Sequence, residues 1–373
     1  MRFLGIRVPA LLTAAVLACG LATAPPAGAA PASCAVADAM VSAGNHWLAH
    51  GTNLAAPDWQ NATFHVGNLA TVRTTGVSNH QTLPWAKANG YRLRQDPKRP
   101  FFPDFEAAGE AYLDLYTYFH PDPPILADLR SRISAEVTSV AQGHDDYWNY
   151  VDALNMAMPS FARIGLLDHD ESILDTMQKL FHHAEKEAGG HGLFDERAGL
   201  WYRDARYVGT GTFWSRGNGW ALAALTKVLQ VLPVTDPRRP EYLRVFTKMA
   251  DSLRFTQRGD GFWNSDLLRP WHHGGPESSG TALFTYGLAW GVRAGILDAA
   301  RFRPVVDRAW KALSTKALRP DGLLGYVQPV GAAPGPAKPG DTAAYGVGAF
   351  LLAGQQVATL TPGCGPVPAI SRD

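Results

Sequence analysis

The stretch Asp170-Glu171-Ser172-Ile173-Leu174-Asp175-Thr176-Met177-Gln178-Lys179-Leu180-Phe181-His182-His183-Ala184-Glu185-Lys186-Glu187-Ala188-Gly189-Gly190, continuing into His191-Gly192-Leu193-Phe194, sets the pattern for the whole chain. Ile173, Met177, Leu180 and Ala184 recur at three- and four-residue spacing, the period of one helix face. Asp170-Glu171 opens the helix and the run from Glu185 to Gly190 ends it. The same period returns near residues 33–50, 58–74, 79–89, 104–119, 124–141, 149–165, 171–187, 215–232, 238–257, 278–294, 298–315 and 341–358. Strand-like alternation is rare and short. The spacing therefore predicts an all-α chain of about twelve helices. The turn after the opening helix also recurs, as Gly261-Phe262-Trp263 and Gly322-Leu323-Leu324, each behind a helix and ahead of a loop with aromatics. Such repeats imply stacked helical units with their long loops on one face, where a groove would lie.

The start of the chain reads as a secretory signal peptide. Arg2 and Arg7 precede an apolar run from Ala10 to Ala24, then small residues and prolines follow. Ala27-Gly28-Ala29 fits the small-x-small cleavage rule. We expect residues 1–30 to be the leader and residues 31–373 to be one domain of a secreted protein. A lipoprotein reading on Val16-Leu17-Ala18-Cys19 ranks lower, because Leu17 is bulky for that motif and a second cleavage site follows. No later segment has 18 uninterrupted apolar residues, so no membrane span is expected. With Cys19 removed, Cys34 and Cys364 remain, one near each end of the mature chain. In an oxidising compartment this pair is expected to bridge, which places the two ends side by side. Twelve helices with tied ends fit a ring of six hairpins, an (α/α)6 barrel. An open solenoid and a pair of bundles are the alternatives, and no polar linker divides the chain in the middle to favour bundles.

Net charge is +1 and charged residues make up 18%, which gives no electrostatic case for nucleic acid or an acidic membrane surface. The 11 Trp and 12 Tyr, many beside glycines, suit stacking on sugar rings. No zinc signature, phosphate loop, dinucleotide fingerprint or Gly-x-Ser-x-Gly elbow is present, so no cofactor is expected. His182-His183 and His272-His273 are adjacent pairs that point to different sides, which argues against a metal. What remains is carboxylates among aromatics, the chemistry of glycosyl transfer to water. Asp152 stands at the start of the apolar helix Ala153–Met158, behind Tyr147, Trp148 and Tyr150. A helix cap is its ordinary role at that position. Burial beside rings would instead raise its pKa and let it act as an acid. Asp104, in Pro103-Asp104-Phe105-Glu106, likewise precedes an apolar helix and by position is a cap. Phe213-Trp214-Ser215-Arg216-Gly217-Asn218-Gly219-Trp220 is harder to explain as packing. Its glycines admit a ligand to the backbone, Arg216 offers a fork for a carboxylate, and Trp214 and Trp220 offer rings.

This segment, with Ala221-Leu222-Ala223-Ala224-Leu225, resembles the signature of glycoside hydrolase family 105, the unsaturated rhamnogalacturonyl hydrolases, which are related to the unsaturated glucuronyl hydrolases of family 88. Tyr150–Pro159 resembles the family's catalytic-Asp segment, Asp104–Tyr116 its earlier Asp helix, and Glu277–Tyr286 its late Ser-Gly-Thr segment. The similarity runs from about Asn89 to Ala358 and implies an (α/α)6 barrel. It also implies a reaction: hydration of the C4=C5 double bond that polysaccharide lyases leave on a terminal uronic acid. By the resemblance Asp152 is the general acid/base, Asp104 the second carboxylate, and Trp214 and Arg216 contact substrate; Asn218, Trp220 and Trp148 are expected beside them. Many members carry a His shortly after the Gly-Leu-Phe turn. Here Asp195-Glu196-Arg197 and then Trp201-Tyr202-Arg203-Asp204 follow, and His191, before the turn, is the nearest imidazole. The expected partner is an oligosaccharide, with the protein a monomer or weak oligomer. The competing readings are another glycosidase or a lyase on the same barrel, and a non-catalytic sugar-binding protein.

Overall fold

A computed structural model describes residues 34–76 and 81–364. The expected leader, with Cys19 and Ala27-Gly28-Ala29, lies outside the described residues. Among them are twelve α-helices: α1 (Ala35–His50), α2 (Trp59–Thr75), α3 (Thr82–Ala88), α4 (Ala107–Asp114), α5 (Ala127–Ala141), α6 (Asp152–Asp168), α7 (Glu171–His182), α8 (Ser215–Val231), α9 (Arg239–Thr256), α10 (Ser278–Arg293), α11 (Ala299–Ala312) and α12 (Ala344–Leu360). One short antiparallel hairpin, β1 (Phe194–Asp195) and β2 (Leu200–Trp201), interrupts them.

The even-numbered helices close a ring. α2 packs on α4, α4 on α6, α6 on α8, α8 on α10, α10 on α12, and α12 returns to α2. The outer layer leans on it, with α1 against α12, α7 against α6, α9 against α8 and α11 against α10. This is the (α/α)6 barrel, and the solenoid and two-bundle alternatives are excluded by the α12–α2 contact.

Composition separates the two layers. The inner helices are buried all round: every residue of α8 from Ser215 to Leu229 and of α10 from Ser278 to Gly291 is buried. Small residues let them approach closely. Gly67 of α2 meets Gly348 of α12 backbone to backbone, and a Cβ on Gly348 would stand 2.2 Å from the Thr63 carbonyl oxygen. The outer helices α7, α9 and α11 bury one stripe and show solvent a charged face, as amphipathic surface helices do. Capping matches the sequence: the Asp170 carboxylate accepts from Ser172 N–H at the start of α7 (2.9 Å), and Asp298 from Arg301 N–H at α11 (2.9 Å).

Cys34 and Cys364 form a disulfide with Cα atoms 5.2 Å apart. It ties the start of α1 to the segment behind α12. The Gly192, Gly261 and Gly322 turns all have left-handed backbone, at φ 74°, 97° and 88°. At Gly261 and Gly322 a Cβ would strike the backbone of α11 and α1, at Arg308 O and Ser42 O. The repeat is therefore a set of tight outer-to-inner turns, each leading into a long loop before α8, α10 or α12.

Candidate active site

The loops before α8 and α12 reach over the N-terminal ends of the inner helices. There they enclose a cavity of about 320 Å³, within the range for a small-ligand site. Trp59 comes from the first turn of α2, Asp152 and Met156 from α6, and Trp214, Arg216 and Trp220 from the start of α8. Asp104 enters from the turn ahead of α4, Tyr150 and Arg203 from loops, and Val330, Gly331 and Ala332 from the loop before α12. Helix N-termini aimed at one space favour an anion there.

The two carboxylates are not caps. Asp152 is the first residue of α6, its cap position is Val151, and no side chain caps that end. Asp104 sits in the single turn Pro103–Phe105, and its Oδ1 accepts from the Tyr150 hydroxyl at 2.9 Å. Phe102 stacks on Tyr150 at 5.6 Å and fixes that ring. Asp152 is 8% exposed. Its Oδ2 accepts from Arg203 Nε at 3.2 Å. Arg203 arrives there because Val151 N–H donates to its carbonyl (2.9 Å) and Tyr150 pairs with Asp204. Arg203 also lies over the Tyr150 ring at 4.9 Å and donates from Nη1 to Asp204 at 2.8 Å.

Both carboxyls hold their protons more tightly than usual. Burial, then the charge of Asp152, raises Asp104 to about 6 against the pull of Tyr150 and Arg203. Burial raises Asp152, and the positive charges of Arg203 and Arg216 limit the rise. The negative charge of Asp152 is thus one cause of the raised Asp104 value. Two buried carboxyls in one cavity, walled by Trp and Tyr, can donate a proton and take one back.

The wall residues depart from expectation in specific ways. Arg216 is 1% exposed and sandwiched between Trp214 (4.4 Å) and Tyr345 (4.8 Å). Its Nη1 and Nη2 donate to the carbonyls of Gln328 (2.7 Å) and Pro329 (3.0 Å), so these donors hold the loop before α12 rather than standing free for a carboxylate. Trp214 donates from Nε1 to Gln328 Oε1 at 2.8 Å, and Trp220 meets Trp59 edge-on at 6.3 Å. Asn218 is not in the cavity wall. Its amide nitrogen donates to the carbonyls of Trp201 and Trp214, and its oxygen accepts from Trp201 N–H, because a buried amide must satisfy itself locally. Trp148 is also away from the wall, fully buried against Phe161. His191 is exposed and does not line the cavity. The Glu277–Gly280 segment caps α10: the Glu277 carboxylate accepts from Ser279 and Gly280 N–H and from Gln328 N–H.

Among the described residues His182, Glu185 and Glu241 bring ligand atoms within 4.8 Å of one another. Lys186 (2.6 Å from Glu241) and Arg244 on Glu185 already neutralise those carboxylates, so the donor set suits ion pairs better than a metal. Sequence reasoning missed Trp59, Tyr345 and the bracing role of Gln328. Trp59 and Tyr345 stand in first turns of inner helices, a position that signals the mouth only once the ring is known. Arg203 lay in plain view beyond the Gly-Leu-Phe turn, where a His was expected.

A family model described as Glycosyl Hydrolase Family 88 matches residues 33–361. A protein of Alteromonas sp. (strain LOR), described as an unsaturated 3S-rhamnoglycuronyl hydrolase, is 38% identical over 323 residues, which span 80% of this chain and 77% of that protein. A solved structure described as a glycosyl hydrolase family 88 protein from Bacteroides vulgatus superposes with a TM-score of 0.80 at 32% identity, covering 86% of this chain and 97% of that one. A structure described as a polysaccharide lyase gives a TM-score of 0.80 at 34% identity over 86% of this chain and 96% of that one.

Proposed function

The chain belongs to glycosyl hydrolase family 88, and from that premise we propose that it releases a 4,5-unsaturated uronic acid from the non-reducing end of lyase-generated oligosaccharides. The observation that carries this reading is the pair Asp104 and Asp152, both with raised pKa, in one aromatic-walled cavity. The bond attacked is an enol ether, so the first need is a proton on carbon. Asp152 in its acid form donates it to C4, and positive charge develops at C5 and the ring oxygen. Water adds at C5 and returns a proton to Asp152. The resulting hemiketal opens and the leaving sugar departs. Arg203 steadies the Asp152 carboxylate between these steps, and Asp104, held by Tyr150, carries charge opposite the developing cation. The relative described as an unsaturated 3S-rhamnoglycuronyl hydrolase makes an unsaturated rhamnoglycuronyl oligosaccharide the first substrate to try.

The test is the ultraviolet absorbance of the conjugated double bond in lyase-treated oligosaccharides. Its loss on adding the protein supports the reading, and no change on unsaturated glucuronyl or galacturonyl substrates overturns it. A rise in absorbance on intact polysaccharide would instead favour a lyase, the description of one structural relative. The basic start, apolar run and cleavage site support secretion. No helix among the described residues is long and apolar enough to cross a membrane. We further propose that the protein works as a monomer or weak oligomer.

A further inference from the structure

Two acidic side chains behind the cavity take no part in the chemistry above. Glu106 and Glu136 are both at 0% exposure. Glu106 closes the turn that carries Asp104: its N–H donates to Pro103 O at 2.9 Å, and its carbonyl accepts from Gly109 N–H at 2.8 Å. Glu136 comes from α5, in the outer layer. Tyr147, in the segment that leads to Asp152, donates its hydroxyl to Glu136 Oε2 at 3.0 Å. The two carboxyls thus join the segments that present Asp104 and Asp152.

Their surroundings do not satisfy two ionised groups. Both oxygens of Glu106 and Oε1 of Glu136 lack a donor among the protein's groups. Arg132 Nη1, on the same helix as Glu136, is 4.0 Å from Glu106 Oε1, beyond hydrogen-bond reach. Two carboxylates facing each other with one cation nearby leave an uncompensated buried charge. A single proton between them removes the conflict. It turns one carboxyl into a donor to the other, and it leaves one negative charge for Arg132 to balance.

We propose that Glu106 and Glu136 share one proton, and that this carboxyl–carboxylate pair is a positioning element holding the Asp104 turn and the Tyr147–Asp152 segment in register. The inference rests on Asp104 and Asp152 being the reacting carboxyls. The groups facing the pair are Arg132 from α5, Tyr147 from the segment before α6 and Asp104 from its own turn, with Asp145 acting on Tyr147 from outside. Burial raises both glutamates, Glu136 to about 7 and Glu106 well above the carboxylate range. Glu136 gives up its proton first, near 7, and the one proton that remains lies between the two carboxyls. The stability this shared proton supplies is complete at low pH and is lost as pH rises through the higher Glu106 value, where the pair repels itself and the Asp104 turn loosens.

The test compares Glu136→Gln and Glu136→Leu with the wild type, using kcat/KM on an unsaturated disaccharide and Tm, from about pH 5 to about pH 9. The Gln amide donates to Glu106 and accepts from Tyr147, which copies the singly protonated pair without a proton to lose. We expect Leu to lower kcat about tenfold or more with little change in KM, and Gln to restore most of it. The basic limb of the Gln variant should move up by about half a pH unit or more, and its Tm should fall less with pH. Superimposable wild-type and Gln profiles, or a Leu variant as active as Gln, would overturn the proposal. If Leu does not fold, the wild-type and Gln profiles decide alone. If the wild type leaves every unsaturated substrate untouched, the functional reading fails, while the comparison of Tm against pH still tests the shared proton.

Discussion

Replacing Arg203 by Gln isolates the contact that sets the ionisation of Asp152. Arg203 Nε lies 3.2 Å from Asp152 Oδ2, and the two side chains are 22% and 11% exposed. Opposite charges at about 4 Å attract by about 4 kcal/mol at an effective dielectric of about 20. Arg203 divides its charge between Asp152 and Asp204, which it bonds at 2.8 Å, and water reaches one edge of it. About half of the attraction, or about 2 kcal/mol, therefore acts on Asp152. The sign follows from the form that works. Protonation of C4 uses the acid form, so losing Arg203 keeps Asp152 protonated to higher pH and moves the basic limb of the rate profile upward. Turnover at the optimum should fall about tenfold to a hundredfold, because the carboxylate left after proton transfer loses its partner. Initial rates from the absorbance loss, taken across the pH range for wild type, Arg203→Gln and Arg203→Lys, give both numbers. A fall in kcat with the basic limb unmoved would refute the reasoning and leave Arg203 as a substrate contact alone.

Asp152→Asn should lower kcat by about a thousandfold while oligosaccharide affinity, measured by calorimetry, stays within a few-fold; retained turnover would remove Asp152 from the chemistry. The wild-type rate profile should show an inflection near the Asp104 value of about 6, and Asp104→Asn should abolish it. The Cys34–Cys364 bridge spans a sequence separation of 330. Loop-closure entropy gives it at most about 6 kcal/mol and typically about 2–4. Cys34→Ser should accordingly lower Tm by several degrees, and two reactive thiols in the denatured, unreduced wild type would contradict the bridge. Gly348→Ala puts a methyl 2.2 Å from the Thr63 carbonyl. It should cost about 1–3 kcal/mol by chemical denaturation, since the α2–α12 seam cannot open without disturbing the ring.

How much of this was legible in the sequence differs between elements. The opening helix read from Asp170 appears as α7 from Glu171, with Asp170 as its cap, because spacing and capping are local signals. The segment near 104–119 is a single turn, then α4 and one wider helical turn. Its periodicity was visible, but Pro103 and the tertiary packing set the break. At the site, Trp214, Arg216 and Trp220 of the segment 213–220 line the cavity and Asn218 does not. Asn218 and Trp148 face inward to satisfy the fold, and the terminal donors of Arg216 grip the chain at Gln328 and Pro329. A residue's type announces what it can bond to, and its neighbours in space decide what it does bond to.

Helix count, ring closure and the placement of Asp104 and Asp152 at helix starts were legible from the chain, since they depend on residues a few positions apart or on cysteines near opposite ends. Packing in three dimensions set which helices form the inner layer, that Arg203 meets Asp152, and that Glu106 lies against Glu136. Those contacts join distant parts of the chain through burial and charge, and no local period encodes which partner a buried charge will meet.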